Sequence, residues 1–234
     1  MRSSTARTRY SGVASASTLA RLGLGLGLMV GLAALAAAGC RVKDEAITAP
    51  FSETFERAEL GPSWNNTGAE YRIAGGQMVI SNAFNHPAWL RKKLPRDATI
   101  DLDVMSKSPA GDIKIELYGD GESFDPDKGS YTSTGYVMIF GGWNNLLSVI
   151  CRNNEHDDGR KAERRDPRVV PGRSYHWTIT RRGGAIDWKI DGQPFLSWAD
   201  PAPLAGTGHE YLAFNDWESD VSFDNLEVRP APAP

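Results

Sequence analysis

The chain has 234 residues, with 26 Lys and Arg against 29 Asp and Glu, a formal net charge of −3, four His and two Cys. An acidic balance disfavours binding nucleic acid through its phosphates. Two cysteines cannot form a disulfide framework of the kind that staples small exported domains, and so few His and Cys disfavour a zinc site.

Taken in order, the chain begins with no acidic residue before Asp44, while Arg2, Arg7, Arg9 and Arg21 make a basic start and residues 22–39 carry no charge. This is the pattern of an export signal. The apolar run is long enough to be weighed as a membrane helix, but it is rich in Gly and Ala and its small residues lead directly into a cysteine. Leu35-Ala36-Ala37-Ala38-Gly39-Cys40 resembles a bacterial lipobox, with Ala37 where Leu is commonest. The resemblance implies cleavage after residue 39 and lipidation of Cys40, and Arg41 in place of Asp then points to the outer membrane. More than one acyl tail makes a stable anchor, since each buried methylene contributes about 0.8 kcal/mol. The first 39 residues hold four of the 26 basic residues and none of the 29 acids, so the mature part carries 22 against 29, a net charge of about −7. With Cys40 lipidated, Cys151 has no partner. It lies inside an apolar run and reads as a small buried hydrophobe. Residues 40–50 are the lipidated Cys and a polar linker ending in Ala49-Pro50; residues 51–230 are the expected domain, and 231–234 a Pro/Ala tail.

From Phe51 onward the turn signals are dense, among them Gly61-Pro62, Gly75-Gly76, Gly141-Gly142, Gly183-Gly184 and Asp191-Gly192. Between them lie segments of about 5 to 9 residues with period-two patterning and no sustained 3.6 period, as expected of an all-β sandwich. Residues 112–118 alternate, with Ile113, Ile115 and Leu117 on one face and Asp112, Lys114, Glu116 and Tyr118 on the other, which is expected to meet water or a ligand. Residues 134–152 read as a central antiparallel hairpin whose reversal, Gly141-Gly142-Trp143-Asn144-Asn145, uses residues that tolerate positive φ. Ile100 to Val104 alternates too. Tyr175, Trp177 and Ile179 share a face, as do Ile186, Trp188 and Ile190. Asp191-Gly192 predicts a type I′ turn. Phe223 to Val228 forms a closing strand, with Asp224-Asn225 interrupting its alternation as a bulge would.

Several of these elements carry a resemblance. Phe51 and Phe55 in a Phe-x-x-x-Phe opening, Gly61 and Trp64 in a Gly-x-x-Trp turn, and the Gly75-Gly76-Gln77-Met78-Val79-Ile80 strand are similar to bacterial members of the concanavalin A-like lectin and glucanase superfamily. So are Tyr175-His176-Trp177 leading to Trp188-x-Ile-Asp-Gly, and Phe223-Asp224-Asn225-Leu226. The similarity spans roughly residues 51 to 229 and rests on elements that build the sandwich, so it speaks to fold far more than to function. It implies a two-sheet antiparallel jelly roll, LamG-like, with a concave sheet that in relatives often carries carbohydrate. The Glu-x-Asp-x-x-Glu strand of the glucanases does not occur in this sequence.

Trp is found beside Asn in four turn-like places: Trp64-Asn65-Asn66, Asn82 to Trp89, Trp143-Asn144-Asn145 and Asn215-Asp216-Trp217. A flat indole suits the C–H face of a sugar, and an amide both donates to and accepts from its hydroxyl rim. For any one cluster the simpler account is that Asn makes turns and Trp fills the core; four in one domain shift the balance toward a ligand site. The candidate ligand-binding residues are Trp143, Asn144, Asn215, Trp217, Trp64, Asn66, His86 and Trp89, with Glu116 and Tyr118 on the alternating strand. No catalytic residue is assigned. Asp112 and Glu116 on one strand face would lie roughly 13 Å apart at the usual rise, beyond the spacing of a glycosidase pair. Glu155-His156 and Asp187 with Asp191 are weaker carboxylate candidates. Residues 160–168 form a basic stretch that fits a charged strand edge or contact with an acidic glycan. The acidic residues 120–129 offer calcium-type oxygen ligands without the EF-hand spacing, and no other cofactor is indicated. Three functions follow: a lipid-anchored carbohydrate-binding module, a glycan hydrolase resembling the 3-keto-disaccharide hydrolase or glucanase relatives of this fold, or a structural lipoprotein with a protein partner.

Overall fold

The computed structural model describes residues 44–124 and 133–232. The export segment, Cys40, residues 125–129 of the acidic loop and the last two residues of the tail lie outside the described residues. Seventeen strands, numbered along the chain, are present among the described residues. One sheet has the order β12 (Arg160–Arg164), β11 (Leu147–Arg152), β10 (Tyr136–Gly141), β9 (Ile113–Gly119), β16 (Tyr211–Asn215), β6 (Ala88–Leu90) and β3 (Trp64–Asn66). The other runs β15 (Gln193–Ala199), β14 (Ala185–Ile190), β13 (Ser174–Arg182), β8 (Ala98–Ser106), β17 (Asp220–Pro230), β5 (Gln77–Ser81) and β4 (Arg72–Ala74), with β2 (Phe51–Glu53) also paired to β17. Apart from the small parallel pair β1 (Glu45–Ala46) and β7 (Lys92–Lys93), all pairing is antiparallel.

The period-two pattern places the expected side chains between the sheets. Ile100, Leu102, Val104, Tyr175, Trp177, Ile179, Ile186, Trp188 and Ile190 from one sheet meet Ile113, Ile115, Leu117, Met138, Phe140 and Phe214 from the other in a single core. The closing strand β17 shifts register between Asp224 and Glu227, with Asn225 at φ 48°, so the bulge lies where the alternation broke. Asp191 and Gly192 both take positive φ, as a type I′ turn requires.

Three expectations need correction. The hairpin of β10 and β11 is not central. The middle strand is β9, because β16, almost a hundred residues later, returns to pair its other edge. Tyr118 does not share a face with Lys114 and Glu116. Gly119 pairs with Tyr211 and Leu117 with Leu212, so Tyr118 is the extra residue of a bulge; at φ 58° it turns into the core against Tyr136. Among the described residues the sandwich also takes in residues before Phe51, since β1 pairs with β7 and Ile47 joins the core.

The two outer faces differ. On the larger sheet, β13 and β14 alternate between buried and exposed, as a half-solvated antiparallel sheet does. On the smaller sheet, every residue of β9 and β10 is buried, so loops cover its outer face. That face carries Lys114 and Glu116 among Val137, Ile139, Val149 and Cys151.

One core contact tests the packing of the two sheets. Phe214 lies parallel to Phe223 of the opposite sheet at 4.2 Å and stacks on Trp64 at 5.1 Å. Phe214→Ala is expected to destabilise the domain by about 3 to 5 kcal/mol, measured by urea unfolding. A loss below about 1 kcal/mol would contradict this packing.

Candidate functional site

The covered outer face of the smaller sheet opens at one end into a cleft of about 460 Å³. Its floor is built on β9. Lys114 is paired across the strands with Ile139 of β10 and Asn215 of β16, so its side chain rises from the middle of the sheet. Only 2% of that side chain is exposed; its ammonium lies 2.9 Å from the equally buried Glu155 carboxylate and donates to Asn85 Oδ1 at 2.6 Å. Burial alone would pull this ammonium down, but Glu155, Asp112 and Asp216 more than offset it and leave the Lys114 pKa above its ordinary value.

Trp143 forms one wall of the cleft. The β10–β11 reversal winds left-handed through Trp143 (φ 51°), Asn144 (φ 58°) and Asn145 (φ 61°), after Gly141 at φ 71°. Such a backbone is uncommon for a bulky residue and costs on the order of 1 to 2 kcal/mol. The Asn145 side chain holds it there: its amide donates to Val169 O at 2.8 Å and Pro109 O at 3.2 Å, and its oxygen accepts from Val169 N at 2.8 Å. The Arg160 guanidinium lies 4.3 Å over the Trp143 ring and His156 meets its edge at 5.9 Å.

Trp217 stands in the other wall, 41% exposed, with the exposed Phe84 ring edge-on at 5.4 Å. Asp112 links the two walls. Its backbone N–H donates to Gly141 O at 2.9 Å and its Oδ2 accepts from Trp217 N at 2.6 Å. Burial pushes the Asp112 carboxyl up, against the opposing pull of Lys114. Behind it, Asp216 accepts from Ala83 N and Ser219 N and so staples the Asn82–His86 loop to the Trp217 turn; burial pushes its carboxyl up to about 7.

Of the residues singled out in the sequence, Trp143, Asn144 and Trp217 line this cleft. Asn215 lies wholly buried beside Lys114, with no hydrogen-bond partner for its amide nitrogen. The others are elsewhere. Trp64 is a core ring and donates to Glu53 at 3.3 Å. Asn66 closes a local turn with Gly68 and Ala69. His86 stacks on Phe124, and Trp89 is fully buried on the outer face of the sheet, where its ring fills the space that a side chain at Gly119 would need.

Glu116 is fully buried, and its Oε1 accepts from Thr134 N at 2.7 Å, Gly135 N at 2.6 Å and the Thr134 hydroxyl at 3.2 Å. Burial still outweighs these donors and pushes its carboxyl up to about 8. Tyr118 lies in the core with the Arg181 guanidinium 4.1 Å above its ring. Lys114 and Asn85 were not among the candidates. The available signal is a lysine in the middle of an alternating strand, on the face expected to meet water or a ligand. Cys151 is buried and burial pushes its thiol up to about 12, a reduced, unreactive packing residue. The basic stretch forms the edge strand β12, with Arg164 lying over the Phe195 ring at 4.7 Å. Among the described residues no group of three or more His, Cys, Asp or Glu is placed to hold a metal.

The family described as Farnesoic acid 0-methyl transferase matches residues 113–228, from β9 through most of β17. No curated protein matches the sequence. Among solved structures, the carbohydrate-binding module CBM66 from Bacillus subtilis is 14% identical, with 70% of this chain and 94% of that one covered at a TM-score of 0.55. A Bacillus subtilis protein of unknown function with a galectin-like fold is 15% identical, covering 80% and 98% at 0.59. The VIP36 exoplasmic/lumenal domain bound to Ca²⁺ and Man3GlcNAc is 11% identical, covering 74% and 86% at 0.57. The fold is a galectin-like, concanavalin A-like jelly roll. At these identities the likeness is one of fold.

The buried carboxyl of Glu116 gives a pH test of the outer face. Because its folded pKa is raised, its contribution to stability is complete at low pH and is lost progressively as pH rises from its ordinary value of 4.5 to about 8. Unfolding free energy is therefore expected to fall over that range, and Glu116→Gln, which keeps the acceptor oxygen, should flatten the slope. An unchanged slope would show that Glu116 is ionised in the folded protein.

Proposed function

We propose that this chain is a carbohydrate-binding protein whose ligand sits between Trp143 and Trp217. The observation that carries this reading is that two indoles from distant parts of the sequence flank one cleft whose lining includes Asn85, Asn144, Asp112 and Ser219. Apolar ring faces beside amide, hydroxyl and carboxylate groups match the two kinds of surface a sugar presents. The fold supports the reading, since neighbours of the same architecture include a carbohydrate-binding module and the VIP36 exoplasmic/lumenal domain bound to Ca²⁺ and Man3GlcNAc. The charged floor argues against a long apolar ligand of the kind the matching family's name suggests, because methylenes would strip water from Asp112 without replacing its hydrogen bonds.

The hydrolase alternative has one observation behind it, two carboxylates, Asp112 and Glu155, lining the cleft. Both are already committed, Glu155 to Lys114 and Asp112 to the Trp217 N–H, which suits holding a ligand better than passing a proton. Incubating bound oligosaccharide with the protein should release no new reducing ends; their appearance would favour the hydrolase.

The lipobox-like segment adds a location to this reading: a protein tethered through Cys40 to a bacterial outer membrane. Cys40→Ser is expected to move the chain from the membrane fraction to the soluble fraction, and unchanged fractionation would remove the anchor.

Trp143→Ala and Trp217→Ala are each expected to weaken glycan retention by the detergent-solubilised chain at least about tenfold, the scale of a well-packed aromatic contact. The thermal midpoint should stay within a few degrees for Trp217→Ala, whose ring is exposed in a turn, and fall further for Trp143→Ala, whose half-buried ring packs on the Val137, Ile139 and Val149 cluster. Retention unaffected by either change would rule out this cleft.

A further inference from the structure

Cations and carboxylates are unequally available in the cleft. Its buried cation, Lys114, is held by Glu155 at 2.9 Å and by Asn85 at 2.6 Å. The Arg160 guanidinium lies over the Trp143 ring and donates through Nε to Glu155 O at 3.2 Å. His156 sits 3.7 Å from Glu155 Oε1. The acceptors are less engaged. Asp112 uses Oδ2 for the Trp217 N–H, and its other oxygen has no hydrogen-bond partner among the described residues. Glu218 lines the cleft, is exposed and is likewise unpaired among the described residues. Ser219 also lines it; only 1% of the residue is exposed, yet its hydroxyl has no partner among the described residues. A third carboxyl, Asp216, stands directly behind, stapled to Ser219 N.

We infer that the cleft selects sugars bearing a free amino group, and rejects uronic, sialic and phosphorylated sugars. The inference rests on the carbohydrate reading and deepens it. A ligand ammonium would donate to the open oxygen of Asp112 and lie near Glu218, while its neighbouring hydroxyl would engage Ser219. A ligand carboxylate or phosphate would meet the carboxylates of Asp112 and Glu218, while the Lys114 ammonium is already neutralised by Glu155, and the like charges would repel it.

The test is a glycan array probed with the detergent-solubilised full chain, displaying amino-bearing, N-acetylated, neutral and acidic oligosaccharides, followed by titration calorimetry on the glycans retained. Amino-bearing oligosaccharides are expected to bind at least about tenfold more tightly than their N-acetylated counterparts, a charge-assisted hydrogen bond's worth of selectivity. Asp112→Asn keeps the acceptor for the Trp217 N–H and is expected to remove most of that preference, leaving the N-acetylated ligand within about threefold. Glu218→Gln, at an exposed position, should lower it in the same direction. An acidic glycan bound in a Trp217-dependent way would overturn the inference and leave the carbohydrate reading standing. Equal binding of amino-bearing and N-acetylated forms, unchanged in both variants, would do the same. Retention of no glycan class would overturn the carbohydrate reading, and the inference with it.

Discussion

The ion pair of Lys114 with Glu155 is the constraint from which the outer face of the smaller sheet follows. Both side chains are almost wholly removed from water, and a lone charge in such a place would cost several kcal/mol. The pair therefore holds the segment after β11, which carries Glu155, down onto β9, while Asn85 brings the Asn82–His86 loop onto the same ammonium. A sheet face that an ordinary sandwich would leave to water is thereby roofed by polar loops. The cleft is the gap that those loops leave.

The walls of the cleft depend on the same kind of interaction. Trp143 stands in a left-handed turn that its own side chain disfavours, and the turn persists because Asn145 satisfies three backbone groups from two other segments. Asp112 then ties the Trp143 turn to the Trp217 turn through one backbone N–H and one carboxylate oxygen. Strain at one residue, held in place by its surroundings, is a common feature of binding surfaces. The cost is met by side-chain amides and carboxylates and not by the core.

Position in the fold separates the tryptophans. Trp64, Trp89, Trp177 and Trp188 lie on strands and are buried by sheet packing, and Trp198 on the edge strand β15 is half-buried; Trp143 and Trp217 lie in turns and keep part of their rings free. The larger sheet, by contrast, presents charged pairs to solvent, such as His176 with Asp103 at 2.8 Å, and a hollow of about 190 Å³ between Arg72 and Lys107 on it has no aromatic lining. The jelly roll thus gathers Trp143, Trp217 and Phe84 at one end of the smaller sheet.

Much of this was legible in the sequence. Alternation at Ile113 to Leu117, Tyr175 to Ile179 and Ile186 to Ile190, the Asp191-Gly192 turn and the broken period at Asp224-Asn225 are local signals, set by backbone geometry and by which side of a strand a residue faces. They determined an all-β sandwich and most of its core. The Gly and Asn of residues 141–145 likewise determined a positive-φ reversal bearing an indole flanked by amides. What the tertiary structure alone decided was which tryptophans meet, that Tyr118 turns inward, and that Lys114 is a buried anchor and not a surface charge. Each depends on a partner tens of residues away: β16 sets the Tyr118 bulge, Glu155 neutralises Lys114, and Asp112 joins Trp217 to the Trp143 turn. Periodicity along a strand carries no record of what will lie across it.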